Sequence, residues 1–201
     1  MNKKEVIKSA LERAYSFSQY IELIEKLHLE EKATSFQDNP DFYSYSALGL
    51  RRMVRIHKKH TLTAELAQII ETISEPQTWL IISESWCGDA SQTLPILVKA
   101  AEHNHLITCK IALRDSEPNL MEFYLTNGGK SIPKLAILDK DLNELGVWGP
   151  RPEPAQKLVL ENKAKPEPLP YSEFNVLIQK WYNSDKGLTT ETELVSTLKN
   201  A

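Results

Sequence analysis

Cysteine is nearly missing from the chain, with two in 201 residues, Cys87 and Cys109. Two are too few for a disulfide framework, and their separation does not match zinc-ligand spacing, so a reducing compartment is expected. An excess of charge of either sign is missing too. Lys and Arg number 24 against 27 Asp and Glu, for a net charge of -3 and a pI near 6.0. That balance gives no case for nucleic acid or a membrane surface as partner. No apolar run reaches the length of a bilayer span, and the basic residues of segment 1–13 have no apolar stretch behind them. Neither a membrane span nor a secretory signal is expected, and the expected location is cytoplasmic. A phosphate-binding glycine loop and a Gly-x-Ser-x-Gly elbow are also absent. His28, His57, His60, His103 and His105 have no carboxylate or cysteine at ligand spacing, so neither a metal nor a cofactor is expected.

What is present is an ordinary globular composition, 41% hydrophobic and 25% charged, enough for one core or one core with an appendage. Apolar positions through 3–32 fit one or two amphipathic helices around an interruption at 16–18. Segment 38–41 reads as a turn or loop, because Asn39 precedes Pro40. Helices are expected over 43–59, packing through Leu48, Met53, Val54 and Ile56, and over 63–73. The basic later half of the first, from Arg51 to His60, reads as a solvated face near a helix C-terminus rather than an anion site.

Strands are expected at 79–82 and 106–113, and a β-hairpin at 131–149. Helices are expected over 89–102, 115–127, 155–161, 171–183 and 190–199. In the fourth of these Phe174, Leu177, Ile178 and Trp181 stand at core spacing, and the last opens on a Thr190–Glu193 capping-box pattern. Segment 165–170 is a proline-stiffened connector.

The strand at 79–82 leads directly through Ser85, Trp86, Cys87 and Gly88 into the helix carrying Asp89 in its first turn. A cysteine at such a junction faces unpaired backbone N–H groups and the positive end of the macrodipole, which favour the thiolate. Asp89 works against that effect. Cys109, mid-strand among apolar neighbours, reads as core rather than as a resolving thiol.

The junction resembles the active site of the thioredoxin superfamily, Trp-Cys-Gly-x-Cys followed by a helical proline. Trp86, Cys87, Gly88 and Pro95 occupy those places, and Ala90 stands where the second cysteine would be. Pro133, just before a strand, is a second point of resemblance, at the place of the superfamily's cis-proline. The resemblance covers about residues 62–165. It implies a central mixed sheet of about four strands flanked by helices, with a helical extension at 1–61 and extra C-terminal helices in a domain spanning 62–201. It also implies that a cis-proline turns the Ile132 backbone toward an extended substrate. Trp86, Gly88, Asp89, Ile132, Pro133 and Gly149 would then form the substrate groove, with the 149–152 loop as its remaining wall. Ile81 stands where thioredoxins bury a proton-relaying aspartate, and the role of Glu84 is open.

Two functions follow. One is a monothiol protein in which Cys87, as the catalytic residue, forms mixed disulfides with a protein or low-molecular-weight thiol and an external thiol resolves them. The other is a redox-inert thioredoxin-fold module that uses the groove to bind an extended peptide.

Overall fold

Reciprocal caps open the first two helices of the computed structural model, which describes residues 2–35 and 39–200. Asn2 accepts from the Glu5 amide while the Glu5 carboxylate accepts from the Asn2 amide, starting α1 (Lys3–Arg13); Ser16 and Gln19 do the same for α2 (Phe17–Leu29). Each box satisfies N–H groups that a helix start leaves without partners.

The third helix, α3 (Pro40–Lys59), begins earlier than the sequence reading placed it. Asn39 is its cap and Pro40 its first residue, where proline's missing N–H costs nothing. Asp38, the remaining residue of the expected loop, lies outside the described residues. The packing face of α3 also differs. Leu48 and Val54 are each 45% exposed, whereas Ser46, Gly49 and Met53 are buried. A Cβ at Gly49 would lie 2.9 Å from the Ser85 carbonyl oxygen, so close approach of backbone selects small residues there.

The chain continues through α4 (Ala64–Glu71), capped by Thr63, then β1 (Gln77–Ser83), α5 (Gly88–Glu102) and β2 (Ile107–Leu113). Next come α6 (Pro118–Met121), β3 (Lys134–Leu138), β4 (Glu144–Trp148), α7 (Glu153–Lys163), α8 (Tyr171–Asp185) and α9 (Leu188–Lys199). The helix expected over 115–127 is thus only four residues long. The Glu117 carboxylate, instead of capping it, takes the Arg13 guanidinium at 2.6 and 2.7 Å, and Asn127 and Gly128 turn the chain at positive φ. The expected Thr190–Glu193 box does not form either. Helix α9 starts at Leu188, after Gly187 at φ +88°, and Glu193 instead accepts from Trp148 Nε1 and the Glu153 amide. Leu177 is 46% exposed, while Ile178 beside it is buried.

The four strands form one mixed sheet in the order β2-β1-β3-β4. β1 runs parallel to β2, pairing Trp79 with Cys109 and Ile81 with Ile111, and antiparallel to β3; β3 and β4 are antiparallel. Residues 79–82 of β1 are fully buried, consistent with a central strand covered on both faces. One core joins β1, α5 and β3 to Val6, Ile7, Ala10, Tyr20, Ile24 and Met53 from the first three helices. The fold is α/β and thioredoxin-like, with added helices. No described helix is long and apolar enough to cross a membrane.

Candidate functional site

β1 ends at Ser83, and four residues later Cys87 is the N-cap of α5, at φ -75° and ψ 115°. Its Sγ accepts from the Ala90 amide at 3.4 Å, as an N-cap side chain does. Its S–H donates to the Ile132 carbonyl at 3.3 Å. The Ile132–Pro133 bond is cis, as is Gly149–Pro150. The carbonyl that the resemblance assigned to an extended substrate therefore already has the thiol as its donor.

Cys87 is 7% exposed. Burial pushes its thiol up, Asp89 adds to that, and the Ala90 amide and Arg151 offset only part, leaving it at about 12. The neutral thiol is the resting form, so burial outweighs the helix start. Asp89 is held on both sides: Arg151 donates to one oxygen from Nε at 3.0 Å and Nη2 at 2.6 Å, and the Tyr182 hydroxyl donates to the other at 2.8 Å. Burial pulls the Arg151 guanidinium down, but the charge and hydrogen bonds of Asp89, with smaller contributions from Tyr182 and Cys87, together leave it raised. Its positive charge is thus shared between Asp89, which it binds directly, and the sulfur, where it offsets only part of the rise.

Gly88 sits under α8. Its carbonyl accepts from Gln179 Nε2 at 3.4 Å, and a Cβ at Gly88 would come 3.2 Å from that nitrogen. Trp86 is sandwiched: the Phe42 ring stacks on it at 4.3 Å and 7°, and the Arg114 guanidinium lies 4.8 Å from its ring centroid. Half-buried, it keeps its Nε1 without a hydrogen-bond partner among the described residues.

Trp86, Cys87, Gly88, Asp89 and Ile132 come together along one wall of a cleft of about 600 Å³. Pro133 and Gly149 do not line it. Gly149, at φ +106°, is turned so that a Cβ would strike the Pro133 carbonyl oxygen, and together they form backing for the wall. Arg151, from the loop expected as the remaining wall, does line the cleft.

The opposite wall is built from segments not assigned to the site from sequence. Val159 of α7 and Leu169, Tyr171, Phe174 and Ile178 of the connector and α8 supply apolar surface and Lys163 a cation, while Arg114 and Lys130 add cations on the Trp86 and Ile132 side. Phe174 and Ile178 show helical core spacing in the sequence, and spacing cannot tell a core face from a cleft face. The available signal was the proline-rich connector, which lays α8 across the helix start.

Glu84 lies on the other side of β1's end. It is 1% exposed, accepts from the Thr34 hydroxyl and from the Asp115 amide at 2.9 Å, and burial raises it to about 7 despite those bonds. Ile81 is buried at the place of the family's relay carboxylate. Cys109 is half-buried; like the buried Cys87 it is a free thiol, and burial pushes it to about 12 as well.

An HIV epitope scaffold has a similar structure, 17% identical with a TM-score of 0.55, covering 93% of this chain and 99% of its own. A Pseudomonas aeruginosa protein of unknown function is 18% identical with a TM-score of 0.48, covering 87% and 99%. An N-terminal domain of the alkyl hydroperoxide reductase AhpF from Enterococcus faecalis is 22% identical with a TM-score of 0.38, covering 54% of each chain. No curated protein matches the chain. The profile described as thioredoxin matches residues 36–166, more than half of the sequence and inclusive of α3, the cysteine junction, the cis-proline and the hairpin. With those elements arranged as they are here, the chain belongs to the thioredoxin family.

Proposed function

We propose that the protein is a thioredoxin-fold binding module in which the cleft between α5 and α8 takes an extended peptide segment carrying apolar and acidic side chains. The observation that carries this reading is the state of Cys87: a buried neutral thiol donating to Ile132, without a second cysteine at Ala90. A thiol in that state is a poor nucleophile, whereas the surface around it is a built cleft. Its apolar wall of Leu169, Phe174 and Ile178 suits hydrophobic side chains, and Lys163, together with Arg114 and Lys130, which also pair with Asp115 and Glu122 at the rim, suits carboxylates. Strand-like pairing at Ile132 would bring a ligand amide to the carbonyl that the Cys87 S–H already donates to, so ligand and thiol meet at one oxygen.

Titration of an acidic-apolar peptide library against the full chain, followed by Trp86 fluorescence, tests this. Cys87→Ala is expected to keep binding within about threefold, and Lys130→Glu with Lys163→Glu to weaken it about tenfold or more at low salt. Loss of binding in Cys87→Ala with full binding in the charge-reversed protein would reject the reading.

A second reading keeps the monothiol chemistry, favoured by one contact: the Ala90 amide already points at Sγ, where it would stabilise a thiolate once formed. Mixed disulfides with protein or low-molecular-weight thiols would then form only after the cleft opens. Dithiothreitol-coupled disulfide reduction by the wild type, absent in Cys87→Ser, would establish it. Equal activity in the two proteins would exclude it.

A further inference from the structure

A second cavity, of about 310 Å³, opens on the far side of α5 between the end of α3 and the start of α9. Three of its lining residues, Arg55, Lys59 and Lys186, are cations, and none of them has a carboxylate partner among the described residues. Thr190 also lines it. That residue is 1% exposed, and its Oγ1 has no hydrogen-bond partner among the described residues. A buried hydroxyl left unsatisfied costs free energy that a bound acceptor recovers.

The acids nearby are already committed. Glu191 accepts from His60 and from the Thr63 amide and hydroxyl, bonds that hold its carboxyl below the usual range despite burial. Asp185 accepts from the Gly187 and Thr189 amides. The N-terminus of α9 reaches the pocket at Gly187, but Asp185 already takes its first amides, so the positive charge there comes from the three cations; the carbonyl end of α3 reaches the same pocket and is closed by the His60 amide on Ile56. Ile56, Ile96 and the Tyr182 ring supply apolar surface, and His60, Gln92 and Asn183 add polar side chains to the lining.

We infer that this cavity is a binding site for a phosphoryl dianion, with room beside it for a small apolar body. Arg55, Lys59 and Lys186 neutralise the charge, and the Thr190 hydroxyl donates to a phosphoryl oxygen. The site is separate from the cysteine cleft and does not depend on the reading given to it.

Calorimetric titration of the full chain at low ionic strength with inorganic phosphate and with phenyl phosphate tests the assignment. Both are expected to bind. Tighter binding of phenyl phosphate would identify an ester as the ligand class, and equal binding would identify free phosphate. Lys59→Gln with Lys186→Gln should weaken binding about tenfold or more. Thr190→Val should weaken it about fivefold while leaving the melting temperature without anion unchanged or higher, because an orphan hydroxyl has been removed. Absence of heat with either probe, or variants that bind as the wild type does, would overturn the assignment. A Thr190→Val protein that melts lower without anion would show the hydroxyl to be structural, and would overturn its role as a ligand contact.

Discussion

Replacing Asp89 by Asn should wake the Cys87 sulfur. With its thiol at about 12, Cys87 at pH 7 carries roughly 3,000-fold less thiolate than a free cysteine of pKa about 8.5. A more basic sulfur is intrinsically more nucleophilic, and a Brønsted slope of about 0.4–0.5 returns roughly 40-fold of that, so the net deficit is ~100-fold. Asp89 is the second cause of the upward push, after burial, and it also holds the guanidinium that opposes the push. Asparagine removes the negative charge and frees Arg151 to act on the sulfur, so both changes favour thiolate. Alkylation by iodoacetamide, followed at each cysteine by mass spectrometry across pH, is the assay. The wild-type Cys87 should react about 100-fold more slowly than a free thiol at pH 7, and Asp89→Asn should accelerate it about tenfold. Cys109, raised chiefly by its own burial with a contribution from Glu102, should be unmoved and serves as the control within the same chain. A wild-type rate matching a free thiol, or an Asp89→Asn rate equal to wild type, would refute the argument.

Other substitutions probe other parts of the structure. Glu84 has a folded-state pKa raised from 4.5 to about 7 by burial, so its contribution to stability is intact below the unfolded pKa and is lost as pH rises through the folded one. Glu84→Gln should therefore gain on the wild type by about 3 kcal/mol between pH 4.5 and about pH 8 in urea titrations, and a pH-independent difference would contradict this. Ala90→Cys places a second thiol one helical turn from Cys87, on the residue whose amide already contacts Sγ; an internal disulfide should form under mild oxidation, and its absence would count against the helix-start geometry. Gly149→Ala forces a Cβ against the Pro133 carbonyl at a φ of +106° and should cost about 2 kcal/mol or more in unfolding free energy.

Much of the site was readable because chemistry and chain order coincide there. Trp86, Cys87 and Gly88 are consecutive, Ile132 and Pro133 adjacent, and the strand-to-helix handover has a local signature. The ionisation of Cys87 was not readable in the same way. It depends on how deeply α8 buries α5's first turn, and the residues responsible, Gln179 and Tyr182, lie about ninety positions downstream. Helix α3 failed locally for a similar reason: its apolar Leu48 and Val54 face outward because Gly49 lets the helix press against the Ser85 carbonyl. Helix α6 opens without a side-chain cap, since the Glu117 carboxylate is held by an arginine from the first helix. The Thr190–Glu193 pattern is a genuine capping pattern overridden by partners on other elements. In each case local preference lost to a contact distant in sequence.

Between α1 and α2 the chain passes Tyr15, whose amide and carbonyl exchange 2.8 Å hydrogen bonds with Ile111 on the outer side of β2. β2 is a border of the sheet, and a border with idle amides is where a second copy could zip on. A single residue from the leading helices plugs that row at its midpoint, so removing them would strip insulation as well as core and turn this border into a seed for self-association.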